Sequence, residues 1–274
     1  QVASEEGMQF VEIGTLWDKA VEALTDAEIE QAKYILDDRG LGTHLICGLF
    51  FRPFSLADVD LDTIEDHPRF REHMDRLEQF IRLAHYFHAP NIRTFGFTRD
   101  EGGTNPSPRS ADGGGITDET FAKIVKGLQI ACDRLSGEGL TLALENARSL
   151  YANTGGNMGR LLDAVNRPNL KIIWDPANAF VAGENPAEGF QHIKGQIADV
   201  HCKDATLEDP ETGLTAWARI GTGETDWANQ LQLLQAESID VLTIETHWHP
   251  EGQDRAENTR QTFSSLKQIL EQSE

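Results

Sequence analysis

The sequence predicts an α/β fold, a TIM (β/α)8-type barrel, and three observations predict it. Seven short apolar runs alternate with amphipathic stretches from one end to the other. The 274 residues fit one such barrel, which needs about 250. Four of the seven runs end in a side chain of metal-ligand or acid–base chemistry. Repeated βα units require a parallel sheet, open or closed, and the placement of those four side chains favours closure.

The strand candidates are FVEIGT (10–15), THLICGLF (43–50), NIRTFGF (91–97), LTLALENA (140–147), KIIWDPAN (171–178), IADVHCKD (197–204) and VLTIETH (241–247). They are rich in β-branched and aromatic residues and apolar on both sides, as strands covered on both faces must be. Helices are expected at about 25–39, 67–89, 117–135, 156–166, 186–194, 226–238 and 254–272. Phe70, Met74, Leu77, Ile81 and Ala84 form one helical stripe, and Phe121, Ile124, Val125, Leu128, Ala131 and Leu135 another. Thr117 is placed to cap the second, without the Glu or Gln that would complete a capping box. The opening QVASEEGMQ reads as the tail of a helix turning at Gly7. A barrel reading therefore lacks its first strand in this sequence. One domain over 1–274 is expected, with no repeat or linker. Three long segments, 51–66, 98–116 and 205–225, follow strands and would gather on the C-terminal face, where barrel active sites are built.

Composition removes several functions. Twenty-four Lys+Arg against 45 Asp+Glu give a net charge of −21, which repels nucleic acid and anionic membrane surfaces. Cys47, Cys132 and Cys202 form no CxxC, so neither a disulfide framework nor a cysteine zinc site is expected. No apolar run approaches the roughly 20 residues of a transmembrane helix. A cytoplasmic location is the expectation, with the start of the chain reading as incomplete.

Glu145, Asp175, His201 and Glu245 sit at the ends of four different strands, spaced by about one βα unit. Strand side chains alternate, which tests whether they converge. Glu145 shares its side with Thr141 and Ala143, Glu245 with Thr243, and His201 with Asp199 and Lys203, while Leu142, Leu144, Ile244 and Val200 fall on the other. Asp175 is accompanied by Ile173, a less clean case. Three carboxylates in one pocket repel unless a cation joins them. With one imidazole and no thiolate, the set suits one divalent cation, Mn2+ foremost, with Mg2+, Co2+ or Zn2+ compatible.

Lys203 falls on the inward side, where it could meet a substrate oxygen or phosphate, and Arg219 lies in the 205–225 segment within reach of the pocket. His247 has the parity to line the rim, and His249 is a weaker candidate. Phe50, Phe51, Phe54 and Trp17 read either as core or as an apolar wall for a sugar. GTGE (221–224) is not a P-loop, and Gly113, Gly114 and Gly115 read as a hinge or turn.

The motifs VEIG, LENA at Glu145, WDPAN at Asp175, VHCKD at His201, RIGTGETDW from Arg219 and IETHW at Glu245 resemble the xylose-isomerase-like TIM-barrel superfamily of sugar phosphate isomerases and epimerases. The resemblance covers essentially the whole chain. It implies that Glu145, Asp175, His201 and Glu245 bind one divalent metal, and that Glu145 and Glu245 are the acid–base pair on opposite faces of a sugar. It implies that His201, Lys203 and Arg219 contact substrate; Asn178 and His247 complete the expected substrate-binding residues. The expected chemistry is proton transfer through a metal-stabilised enediolate. Returning the proton to the opposite face gives an epimerase, and to the next carbon an isomerase. Loss of a β-hydroxyl gives a dehydratase of the inosose or dehydroshikimate type. A noncatalytic sugar-binding barrel is the alternative from another class. The implied partners are a small sugar or sugar phosphate and a second copy of the chain, not nucleic acid or membrane. Asn178 stands where ketose 3-epimerases typically carry histidine, which weakens that assignment and the endonuclease IV relative too.

Overall fold

The computed structural model describes residues 1–99, 116–209, 211–239 and 241–273. Seven strands, 10–13, 42–46, 91–95, 141–145, 170–174, 197–202 and 243–244, form one sheet in chain order, each parallel to its neighbours. Helices 26–38, 68–87, 118–134, 155–165, 186–191, 227–236 and 255–273 match the seven expected. Thr25 closes a full capping box with Glu28, Thr154 caps 155–165, and Thr117 accepts from Thr120 N alone. Phe70, Leu77, Ile81 and Ala84 are buried against the sheet, each large apolar side chain contributing about 1.5–3 kcal/mol.

The sheet curls into a cylinder. On a flat sheet the first and sixth strands would lie about 24 Å apart, at about 4.8 Å per neighbour. Glu12 on the first instead reaches His201 on the sixth at 3.1 Å, and His44 on the second meets the Ala198 carbonyl at 3.3 Å. Strands 10–13 and 243–244 end the sheet and do not pair with each other among the described residues. A four-residue helix, Val2–Glu5, precedes the first strand and turns at Gly7, whose φ is +73°.

The inward and outward faces separate by alternation. Leu45, Ala143 and Ile173 pack together inside with Cys47, whereas Leu142, Leu144, Ile172 and Val200 join the large apolar layer beneath the helices. No helix among the described residues is long and apolar enough to cross a membrane.

The structure departs from the sequence reading in four places. The 205–225 segment is mostly an antiparallel hairpin, Asp204–Asp209 with Leu214–Ala218, closed by an Asp209 turn that bonds Glu211 N and Thr212 N. WDPAN leaves its strand after Trp174 and starts helix 176–182, because Pro176 supplies a first-turn φ and Asp175 caps Asn178 N. Among the described residues, the seventh strand has one partner and pairs through Thr243 and Ile244 alone. Phe50, Phe51 and Phe54 stack on one another, Phe70 and His73 in the core, so they form no sugar-facing wall. Trp17 is half exposed. Gly113–Gly115 lie outside the described residues.

Candidate metal centre

Four strand ends deliver Glu145, Asp175, His201 and Glu245 to one point, their nearest ligand atoms all within 4.8 Å of one another. Glu145, Asp175 and His201 are buried, and Glu245 is partly open to a cleft. His201 Nδ1 is 3.4 Å from Glu145 and 3.7 Å from Glu245. This nitrogen is buried with no hydrogen-bond partner among the described residues. Asp175 Oδ2 is in ionic contact with Lys203 at 2.6 Å. An unsatisfied buried polar atom is rare and costly. Nδ1 of His201 faces the point where the three carboxylates meet, and that donor set suits a divalent cation.

Three further side chains shape this centre. Glu12 takes the other ring nitrogen of His201 at 3.1 Å. Arg93 donates to Glu145 at 2.9 Å and to the Cys47 and Gly48 carbonyls. Asp199 accepts from Val200 N and from Thr243 Oγ1. Glu12, Asp199 and His201 form a second, contiguous cluster.

The charges settle accordingly. Burial acts against ionisation throughout. His201 is nonetheless held protonated well above its ordinary range by Glu12 and Glu145. His201 and Arg93 in turn hold Glu145 low, and Lys203, His247 and His201 hold Glu245 well below the carboxylate range. Asp175 is pushed up to about 6 by burial, which the Lys203 ammonium only partly offsets. Asp199 rises further, through burial and the adjacent Glu12.

The remaining sequence candidates divide. Lys203 does point inward, but it is buried between Asp175 and Glu245 and ion-paired to both, so its charge is met by the protein rather than left for a substrate phosphate. Asn178 lines the cleft, with Nδ2 donating to the Asn146 carbonyl. His247 also lines it, 3.2 Å from Glu245 and packed on Trp217. Arg219 is not among the lining residues; its guanidinium lies over Trp248. His249 is exposed.

Sequence reasoning missed Glu12, Arg93, Arg52 and Arg148. The first two carried a signal, a charge of inward parity inside an otherwise apolar strand. The GTGE run, no phosphate cradle, is gripped by Asp204, whose carboxylate accepts from Gly221, Gly223 and Thr225 N–H groups.

A 3-dehydroshikimate dehydratase of Bacillus anthracis is 25% identical over 140 residues, 51% of this chain and 46% of that protein. A 3-oxo-isoapionate decarboxylase of Pectobacterium atrosepticum is 30% identical over 102 residues, 36% of this chain and 37% of that protein. The aligned part thus spans less than half the length of either relative. Among solved structures, the IolI protein with a bound zinc atom superposes with a TM-score of 0.78 at 17% identity, covering 100% of this chain and 92% of that one. The family model described as xylose isomerase-like TIM barrel matches residues 1–269, and the chain belongs to that family.

Proposed function

We propose that this chain is a divalent-metal-dependent isomerase or epimerase that moves a proton on the carbon beside a carbonyl of a small polyhydroxylated substrate. The observation that carries the reading is the convergence of Glu145, Asp175, Glu245 and Nδ1 of His201 at one point, with Glu145 and Glu245 also lining the cleft.

A cation held by these four residues, Mn2+ in our reading, would polarise the substrate carbonyl and offset the negative charge gained when the α-proton leaves. Glu245 is the more accessible carboxylate and faces the cleft beside His247, so it is placed to exchange a proton with substrate. Glu145, buried and fixed by Arg93, serves the opposite face as the second acid–base group. Lys203 offsets the negative charge of Asp175 and Glu245 before a cation arrives. Asn178 and His247 line the substrate's path.

The test is to incubate Mn2+-loaded protein with ketoses in D2O and to follow deuterium at carbon. Incorporation, abolished by a chelator and reduced at least 100-fold in both Glu145→Gln and Glu245→Gln, supports the reading. Its absence across a broad ketose panel defeats it. The similarity to a 3-dehydroshikimate dehydratase favours a second reading, in which the same proton removal expels a β-hydroxyl. That reaction shows itself as a new conjugated-carbonyl absorbance rather than deuterium retained in a ketose.

A further inference from the structure

Arg52 and Arg148 line the same cleft as Glu145 and Glu245, a space of about 330 Å³, in the size range of small-ligand sites. Neither guanidinium has a carboxylate within ion-pairing distance among the described residues, in a chain where acids outnumber bases 45 to 24. The cleft's other permanent cation differs. Lys203 is matched by Asp175 and Glu245.

Each of the two arginines is held by a neutral group. Arg148 Nη1 donates to the Thr215 hydroxyl on the hairpin at 3.0 Å. Arg52 lies over the Phe95 ring at 5.0 Å. Burial weakens the charged form of Arg148, and no acid opposes that effect. These contacts fix the side chains and leave most of their donors without a partner among the described residues. A guanidinium fork matches a carboxylate or phosphate in a bidentate arrangement. With excess acid elsewhere, two unmatched arginines in one cleft are a site for an anion the protein does not itself supply.

We propose that Arg52 and Arg148 form an anion subsite, so that the substrate is an acidic or phosphorylated polyol carrying its negative group away from the reacting carbonyl. The proposal rests on the proton-transfer reading of the site and adds the charge of the substrate to it. Arg219 and Lys203, the cations the sequence singles out, do not serve this role, since one lies over Trp248 and the other is already paired.

The experiment compares D-fructose, D-fructuronate and D-fructose 6-phosphate, alike except at the far carbon, and 3-dehydroshikimate with its methyl ester. Binding to the Mn2+-loaded protein is measured by calorimetry, and α-proton exchange in D2O is followed in parallel. Binding at least about 10-fold tighter for a charged member than for its neutral counterpart supports the subsite, and whether carboxylate or phosphate gains more names the anion. In the R52Q/R148Q double variant that preference collapses toward unity while Mn2+ affinity, read by electron paramagnetic resonance, is retained. Should the variant fail to fold, the charged-against-neutral comparison in the unaltered protein decides alone. No preference for charge, including no binding by either member, overturns the subsite. Proton exchange that persists in that case leaves the proposed reaction standing, and its absence across the panel removes both.

Discussion

The Glu12 carboxylate lies 3.1 Å from His201 Nε2, while the opposite ring nitrogen of His201 is turned toward Glu145 and Glu245. The pair joins the first strand of the sheet to the sixth and fixes which nitrogen carries a proton. With Nε2–H donated to Glu12, the lone pair of Nδ1 is the one presented to a cation, the arrangement by which a carboxylate behind a histidine ligand sets its tautomer and orientation.

Removing that partner is expected to weaken the metal site without emptying it. Glu12→Ala should lower divalent-cation affinity about 10–100-fold, and Glu12→Gln, which keeps an acceptor oxygen, should lower it less. Chelator competition measures both, and unchanged affinity in Glu12→Ala would show that His201 needs no support.

Metal binding should be proton-coupled. A ligand nitrogen must be deprotonated, yet His201 is held protonated well above its ordinary value of about 6.5. Binding at neutral pH therefore releases about one proton, and affinity falls about tenfold per unit as pH drops below that raised value. Folding responds with the opposite sign. A histidine whose folded pKa is raised contributes stability that is complete below the unfolded value and disappears as pH climbs through the folded one. Asp175, pushed up to about 6, acts alike, since between about 4 and 6 the folded chain keeps a proton that the unfolded chain has lost. Metal-free protein should melt lower at pH 8 than at pH 6, and saturating Mn2+ should reverse the order, because the metal-bound His201 carries no proton to lose. Calorimetry in buffers of different ionisation enthalpy and melting with and without chelator test the two halves.

The barrel and its four-residue centre were legible because both follow from alternation. The parity that groups Glu145 with Ala143 and His201 with Asp199 also sends Leu142, Leu144 and Val200 to the helix layer, as the structure shows. The supporting charges were harder to read. Arg93 and Glu12 owe their roles to strands five or fewer places apart in the sheet but far apart in sequence, and a single charged residue in an apolar run does not name its partner. Lys203 was placed on the correct side, yet its ion pairs depend on how deep the acids of other strands project. Arg52 and Arg148 stand just beyond strand ends, where strand periodicity no longer applies.

Lys203 and a divalent cation compensate the same acids. Lys203→Met should cost the metal-free protein about 3–5 kcal/mol, because Asp175 and Glu245 lose the ammonium between them. Adding Mn2+ should then raise the melting temperature of the variant more than that of the unaltered chain. Equal metal-induced shifts would mean that the lysine does not offset the acids the cation binds.

Asp204 organises the hairpin's return to helix 227–236 through three loop N–H groups, at 2.9 Å to Gly221 and 3.0 Å to Gly223 and Thr225. Hydrogen bonds to a charged acceptor are worth about 1.5–3 kcal/mol each, but their effects within one loop do not add in full. Asp204→Ala should therefore destabilise by about 3 kcal/mol or more and speed amide exchange at 221–225, while leaving exchange in strand 141–145 slow. Gly223→Ala attacks the same clamp sterically, since a Cβ there would lie 2.3 Å from Asp204 Oδ1 and 2.6 Å from the Ala205 carbonyl. The two substitutions break one interaction, so the double variant should lose clearly less than the sum of the single losses. Full additivity in chemical denaturation would show that the carboxylate and the glycine act separately.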